Sequence, residues 1–183
     1  MISNINYQVM EVPFCYDDNR KELTMKSVPI LHPVPLVIVA TKLENERINF
    51  TTIGDVAIAG LNPPLLMISL HERHLATKLI RQHNQFSVNL PLTTHIEKVK
   101  YCGYHSGFDY DKSDVFKSVM IDDVPVIEEM PVSMICTVKH EVIENNRVIF
   151  IVFVEQTLLR EQLENIEVLL YGLDDEYYKA RRI

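Results

Sequence analysis

The chain has 183 residues, of which 47% are hydrophobic, and a net charge of −7. That supplies one domain, taken as residues 1–183, with a real core, and the acidic balance argues against nucleic acid as a partner, because a phosphate backbone needs a basic face. No apolar run is long enough to cross a bilayer and MISNINYQVMEV lacks the basic-then-apolar order of a secretory leader, so neither a membrane partner nor export is expected.

The first clear element is VPLVIVATK, residues 34–42, a β-rich apolar run bounded by prolines that reads as a buried strand. KLENER is a polar turn, and RINFTTI (47–53) is the returning strand of a hairpin. DVAIAGLNPP is too short and too marked by glycine and proline for a stable long helix. LLMISL (65–70) is a second continuous apolar strand. RHLATKLIRQHN places Leu75, Leu79 and Ile80 at helical spacing, and QFSVNLPL alternates Phe86, Val88 and Leu90 as a strand does. Thr94 with Glu97 three residues on predicts a capped short helix over THIEKVKYCG, followed by the polar-aromatic loop GYHSGFDYDKSD. VSMICTVKHEVI and RVIFIVFVEQTLL form a hairpin about Glu144-Asn145-Asn146, and IEVLLYG and EYYKA close the chain. Many strands, two short helices and no βαβ alternation predict a closed or nearly closed antiparallel barrel.

Three stretches carry residues suited to chemistry. Asn49, Thr51, Thr52 and Gly54 end a strand, where a glycine lets backbone approach a planar ligand; the same residues also suit an ordinary strand and turn. Ser69, Arg73 and His74 precede a helix, whose N-terminus favours a phosphate that an arginine can grip. A capped helix with solvated basic side chains is the plain alternative. Gly103, Ser106, Gly107, Asp111 and Lys112 lie in the irregular loop, where Lys112 is either a point charge over a ligand or half of a solvated pair. No Walker loop, Rossmann fingerprint or GxSxG elbow is present. His71, His74 and His83 do not have the spacing of a metal site. The widely spaced Cys15, Cys102 and Cys136 contain no CxxC, which points to a reducing, cytoplasmic setting, with Cys136 read as a buried hydrophobe.

The ordered stretches PVPLVIVATK, INFTTIGDVAIAGLNPPLLMISL, FSVNLP, YCGYHSG and DYDK resemble the flavin reductase-like, FMN-binding split-barrel family, in its flavoredoxin-like branch, from about residue 30 to the C-terminus. The resemblance implies a mainly β fold: a split β-barrel of Greek-key topology with a few short helices. It also implies a homodimer with one FMN per subunit near the interface. Carried onto this chain, Asn49, Thr51, Thr52 and Gly54 would line the isoalloxazine and ribityl chain, and Ser69, Arg73, His74 and the start of the following helix would hold the phosphate. Asn89, Ser106, Gly107 and Lys112 would complete the pocket. A threonine that relatives place at Ala76 falls here at Thr77, and Gly54 stands where serine is common. Many relatives also carry an arginine after the SG pair, which DYDKSDVF lacks, and the late hairpin turn has Arg147 where nicotinamide-using relatives often have histidine.

Three functions are compatible with this reading. In the first, the protein is an enzyme that passes electrons from NAD(P)H through FMN to flavin or another acceptor. In the second it is an FMN electron carrier served by a redox protein. The third is a β-barrel interaction module without a flavin. No protein acid or base is needed for hydride to reach a flavin, so no catalytic side chain is expected, and Arg147 is a candidate to attract the phosphates of a nicotinamide.

Overall fold

The computed structural model describes residues 12–13, 24–25, 31–160, 166–172 and 176–180. The chain divides into two units, Met1–His32 and Pro33–Ile183. In the first, β1 (Val12–Pro13) pairs antiparallel with β2 (Thr24–Met25).

The second unit is built on short-range hairpins. The apolar run 34–42 is divided at Leu36 into β3 (Val34–Pro35) and β4 (Val37–Lys42), and the polar stretch Glu44–Glu46 turns the chain into β5 (Ile48–Ile53), as expected. Residues 56–61, assigned to no element from the sequence, form β6 (Val56–Leu61), which pairs with β7 (Pro64–His71). Helix α1 (Leu75–His83) follows and stops at Asn84, whose φ of 60° is the left-handed conformation asparagine tolerates. β8 (Gln85–Leu90) leads to α2 (Ile96–Tyr104). The predicted cap is displaced: His95, not Thr94, precedes α2, and its Nδ1 accepts the Leu92 N–H at 3.1 Å. A tight hairpin not read from the sequence, β9 (Ser118–Ile121) and β10 (Val124–Ile127), turns on Asp122 and Asp123 with φ of 48° and 66°. The long arms β11 (Val132–Glu144) and β12 (Arg147–Leu159) pair as predicted, and β13 (Leu169–Tyr171) joins β14 (Tyr177–Lys179) to β3.

Seven strands make one antiparallel sheet in the order β5-β4-β8-β11-β12-β7-β6. Its two edge strands, β5 and β6, are joined by Gly54 and Asp55 alone. Laid flat, six strand spacings would separate them by about 29 Å. A link of three residue steps spans only about 11 Å, so the sheet must roll until its edges meet at this end. Register shifts at Ile135/Cys136 and Val138/His140 in β11 and at Ile58/Gly60 in β6 add the local twist that rolling requires. The pairing of β5 with β6 is never made, so the barrel is split.

Strand alternation sorts the core into two faces. Val37, Val39, Ile53, Ile68, Phe86 and Phe150 fill the inside, where Ala76 and Ile80 of α1 plug one end. Leu36, Ile38, Ala40, Phe50 and Leu169 face outward under α2, with Val99, Cys102 and Phe116, whose ring meets Phe50 edge-on at 5.3 Å. Among the described residues no helix is long and apolar enough to cross a membrane.

Candidate functional site

The same alternation divides the first group of candidates. Asn49 and Thr51 point to the α1 side of β5, and Thr52 and Gly54 to the α2 side. Asn49 is 1% exposed; its Nδ2 donates to Thr41 Oγ1 at 3.2 Å and to Thr51 Oγ1 at 3.1 Å, and its Oδ1 is buried without a partner. The Thr52 hydroxyl donates to Val99 O at 2.7 Å and ties β5 to α2. A Cβ on Gly54 would press on Val34 at 3.1 Å, so this glycine makes room within the protein.

The second group gathers at the end of β7. Ser69 Oγ accepts from Arg147 Nε at 3.1 Å, and Arg147 Nη2 donates to Ser69 O at 3.0 Å and to the Asp55 carboxylate. The side chain expected to await a nicotinamide therefore lies along β7 at the rim where β5 and β6 are linked. Register accounts for this: Arg147 opens β12 directly opposite His71, the last residue of β7. His71 and His74 hold their rings 5.8 Å apart, and His71 Nδ1 accepts the Arg73 N–H at 3.1 Å. The Arg73 side chain is exposed. His74 is the residue before α1, and its Nδ1 is buried without a partner. Burial, then the electrostatics of the neighbouring His71, Arg147 and Lys112, push its pKa down to about 4. Thr77 is fully buried and its hydroxyl donates to His71 O at 2.8 Å, so the displaced threonine holds the turn before α1.

The third group arrives from the far side of β5. After α2 the chain wraps over this edge strand, where Ser113 Oγ accepts from Ile48 N and donates to Ile48 O, both at 3.2 Å. Gly107 thereby comes to lie against Asn49 and Leu75. Ser106 Oγ accepts the Phe108 N–H at 3.2 Å and shapes the turn. Lys112 is 3% exposed and donates to His105 O at 3.0 Å and Cys102 O at 3.3 Å. Those carbonyls close α2, whose negative dipole end offsets the buried ammonium, while burial lowers its pKa. His105 is stacked on Tyr101 at 4.1 Å and met edge-on by Tyr110 at 4.7 Å.

Asn89 is not brought to this place. It is fully buried, its Nδ2 donates to Ile38 O and Ser87 Oγ, and its Oδ1 accepts the Ile127 N–H, so its amide joins β8, β4 and β10. Cys102 is buried with its thiol pushed up to about 11, and Cys136 to about 12, so both are protonated at neutral pH. Among the described residues no group of three or more histidine, cysteine, aspartate or glutamate side chains is placed to hold a metal ion.

Arg147, Lys112 and two histidines thus converge at one end of a barrel in a chain whose net charge is −7, with Asp55 as the carboxylate in direct contact. The donors, and the unpartnered His74 Nδ1 and Asn49 Oδ1, suit a ligand with a phosphate at one end and a polar heterocycle or polyol beyond it. Arg147 was missed as a member of this group because 78 residues separate it from Ser69.

The chain belongs to the flavin reductase-like family: the family model described as "Flavin reductase like domain" matches residues 30–180. No curated protein matches the sequence. Among solved structures, the chain is similar to flavoredoxin from Methanosarcina acetivorans, with a TM-score of 0.81 and 21% identity over 89% of this chain and 93% of that one. It is similar to an FMN-binding protein from Thermus thermophilus with bound p-hydroxybenzaldehyde, at a TM-score of 0.78 and 20% identity over 90% and 95%. The flavin reductase of styrene monooxygenase from Pseudomonas putida aligns at 0.73 with 17% identity, over 84% and 94%. The mainly β split barrel read from the sequence is the fold observed.

Proposed function

We propose that the protein is an FMN-dependent oxidoreductase that takes electrons from NAD(P)H and passes them to free flavin or another acceptor. The observation that carries this reading is the placement of Arg147 on Ser69, with the buried Lys112 and the unpartnered His74 nearby, at the rim of a barrel in an acidic protein. Bound there, FMN would accept a hydride and release electrons one or two at a time.

The chain's own residues have separate tasks. Ser69, His74 and the start of α1 face the phosphate, with Lys112 lending charge from behind. Asn49 and Thr51 present amide and hydroxyl groups on the same side of β5, and Gly107 lets the 105–112 loop close on Asn49. Thr52, Gly54 and Thr77 set backbone positions: the two threonine hydroxyls are engaged by Val99 O and His71 O, and Gly54 has no room for a side chain beside Val34. Ser106 shapes the loop.

The exposed apolar strand β6, with Ile58 70% and Leu61 82% exposed, is the surface proposed to join two copies into a homodimer. Among the described residues Cys102 and Cys136 are buried free thiols, which agrees with a reducing, cytoplasmic setting; Cys15 lies outside them.

A second reading, an FMN carrier fed by a partner protein, is favoured by one contact. Arg147 is held against Ser69 and Asp55, which leaves the late hairpin without the free guanidinium suited to a nicotinamide's phosphates. Rapid anaerobic mixing of the FMN-loaded protein with NADH or NADPH separates the two. Loss of the oxidised flavin band at about one per second or faster establishes the reductase. Loss with dithionite or a reduced redox protein, but with neither nicotinamide, establishes the carrier. A purified protein that neither carries nor takes up flavin sinks both.

A further inference from the structure

We infer that Arg147, rather than Arg73, is the guanidinium that meets the cofactor's phosphate, and that it does so by exchanging Asp55 for it. This rests on the flavin reading above. Two arginines are near the end of β7, and they are held differently. Arg73 sits in the turn before α1 with its side chain exposed, and its backbone N–H, not its guanidinium, makes the contact to His71. Arg147 is already extended along β7, with Nε on Ser69 Oγ at 3.1 Å and Nη2 on Ser69 O at 3.0 Å. An arginine ordered before the ligand arrives loses less freedom on binding than one that must be collected from solvent.

The contact with Ser69 has a second effect. The serine oxygen accepts from Nε, so the hydroxyl hydrogen is turned away from Arg147 and is free to donate to an incoming anion. Arg147 and Ser69 then act as one unit, a guanidinium with an oriented hydroxyl beside it.

Asp55 is the competing anion. Its side chain is 64% exposed, so its ion pair with Arg147 is a weak one. A phosphate monoester brings nearly two charges and three acceptor oxygens to the same guanidinium. The groups around it point the same way: His71 lies opposite Arg147 on β7, His74 immediately precedes α1, and Lys112 comes from the loop over β5. Displaced, the Asp55 carboxylate returns to solvent at the exposed link between β5 and β6, where it has nothing to desolvate it.

The test compares binding of FMN and riboflavin to the flavin-free protein by quenching of flavin fluorescence at low salt. Arg147→Ala should raise the FMN Kd about ten- to a hundredfold and change the riboflavin Kd by less than about threefold, and Arg73→Ala should change either by less than about threefold. Equal loss for the two flavins in Arg147→Ala, or a loss in Arg73→Ala as large as in Arg147→Ala, overturns the assignment. Asp55→Asn provides a second measurement should Arg147→Ala fail to fold. With the competing carboxylate gone, FMN should bind about threefold tighter or better with riboflavin unchanged, and no gain overturns the exchange. Wild-type protein that binds neither flavin refutes the flavin reading itself, whereas wild-type protein that binds both equally refutes only the phosphate contact.

Discussion

The carboxamide oxygen of Asn49 faces the α-carbon of Gly107 so closely that a methyl group on that carbon would lie 2.2 Å from it. Asn49 belongs to the edge strand and Gly107 to the loop that wraps over it, so this contact fixes how the loop closes on the candidate site. Leu75 of α1 stands 3.0 Å from the same methyl position, so both side chains would have to give way.

Gly107→Ala should therefore displace the loop, lower stability by about 1–3 kcal/mol and weaken flavin binding. Gly103→Ala is the matched control. Its added methyl would make an ordinary 3.5 Å contact with Thr52, and replacing a glycine within α2 should stabilise by roughly 0.5–1 kcal/mol. Urea titration of the two variants beside the wild type gives the comparison. Equal behaviour would show that the Asn49–Gly107 approach constrains nothing.

The pH dependence should report on His74. Its folded pKa near 4 lies below the usual histidine value, so between about 6.5 and 4 the unfolded chain binds a proton that the native state refuses. Stability contributed this way is present above pH 6.5 and is lost as the pH falls toward 4. The full linkage would be about 3 kcal/mol, reduced to roughly 1–2 kcal/mol because the imidazole is partly exposed. Thermal melts at pH 7 and pH 5 should show a smaller drop for His74→Gln than for the wild type. His95, also shifted down by burial, acts in both proteins and cancels in the difference. Bound FMN should flatten the wild-type slope, because a phosphate beside His74 favours its charged form.

Asn89→Ala should destabilise by about 2–4 kcal/mol, since it removes the side-chain donor to Ile38 O and the acceptor of the Ile127 N–H from the interior. Whatever fraction stays folded should bind FMN as the wild type does. A chain that keeps its stability and loses flavin would return Asn89 to the pocket.

Light scattering at micromolar concentration should give twice the 21.2 kDa chain mass. A charge at Ile58 or Leu61, as in Ile58→Glu, should give the single mass, because an ionised group cannot be desolvated in an apolar contact without large cost. A wild-type monomer that binds FMN fully would remove the need for a second copy at the site.

The strands with a continuous apolar signal were legible because β4 buries both faces, and β7 and the β11–β12 hairpin bury one face and half-cover the other along part of their length. β6 was not, because Ala57, Ile58 and Ala59 are exposed on an edge and the strand shows no alternation. The β9–β10 hairpin was overlooked although Asp122-Asp123 between SVMI and VPVI is a two-residue turn signal. At the site, the hydroxyl tract was visible as a local cluster, but period-two alternation sends Thr52 away from Asn49, and only a strand register reveals that. Arg147 was read from its place in a turn. Its target, Ser69, is fixed by the pairing of β12 with β7, which no local pattern encodes.

The link at Gly54 and Asp55 bears on how the chain can be rearranged. Each of the six ladders of the large sheet joins strands other than β5 with β6, so new chain ends placed between these two residues would interrupt no strand pairing. What a circular permutant opened there would lose is effective concentration: the two edges would no longer be held within a few residues of each other. Such a protein should keep its strands and core while the rim gapes, with the hold of Arg147 on Ser69 and Asp55 left to draw the edges together. The covalent connection between two strands that never pair is, on this view, the part of the backbone that sets how far apart the two edges stand beside Ser69 and Arg147.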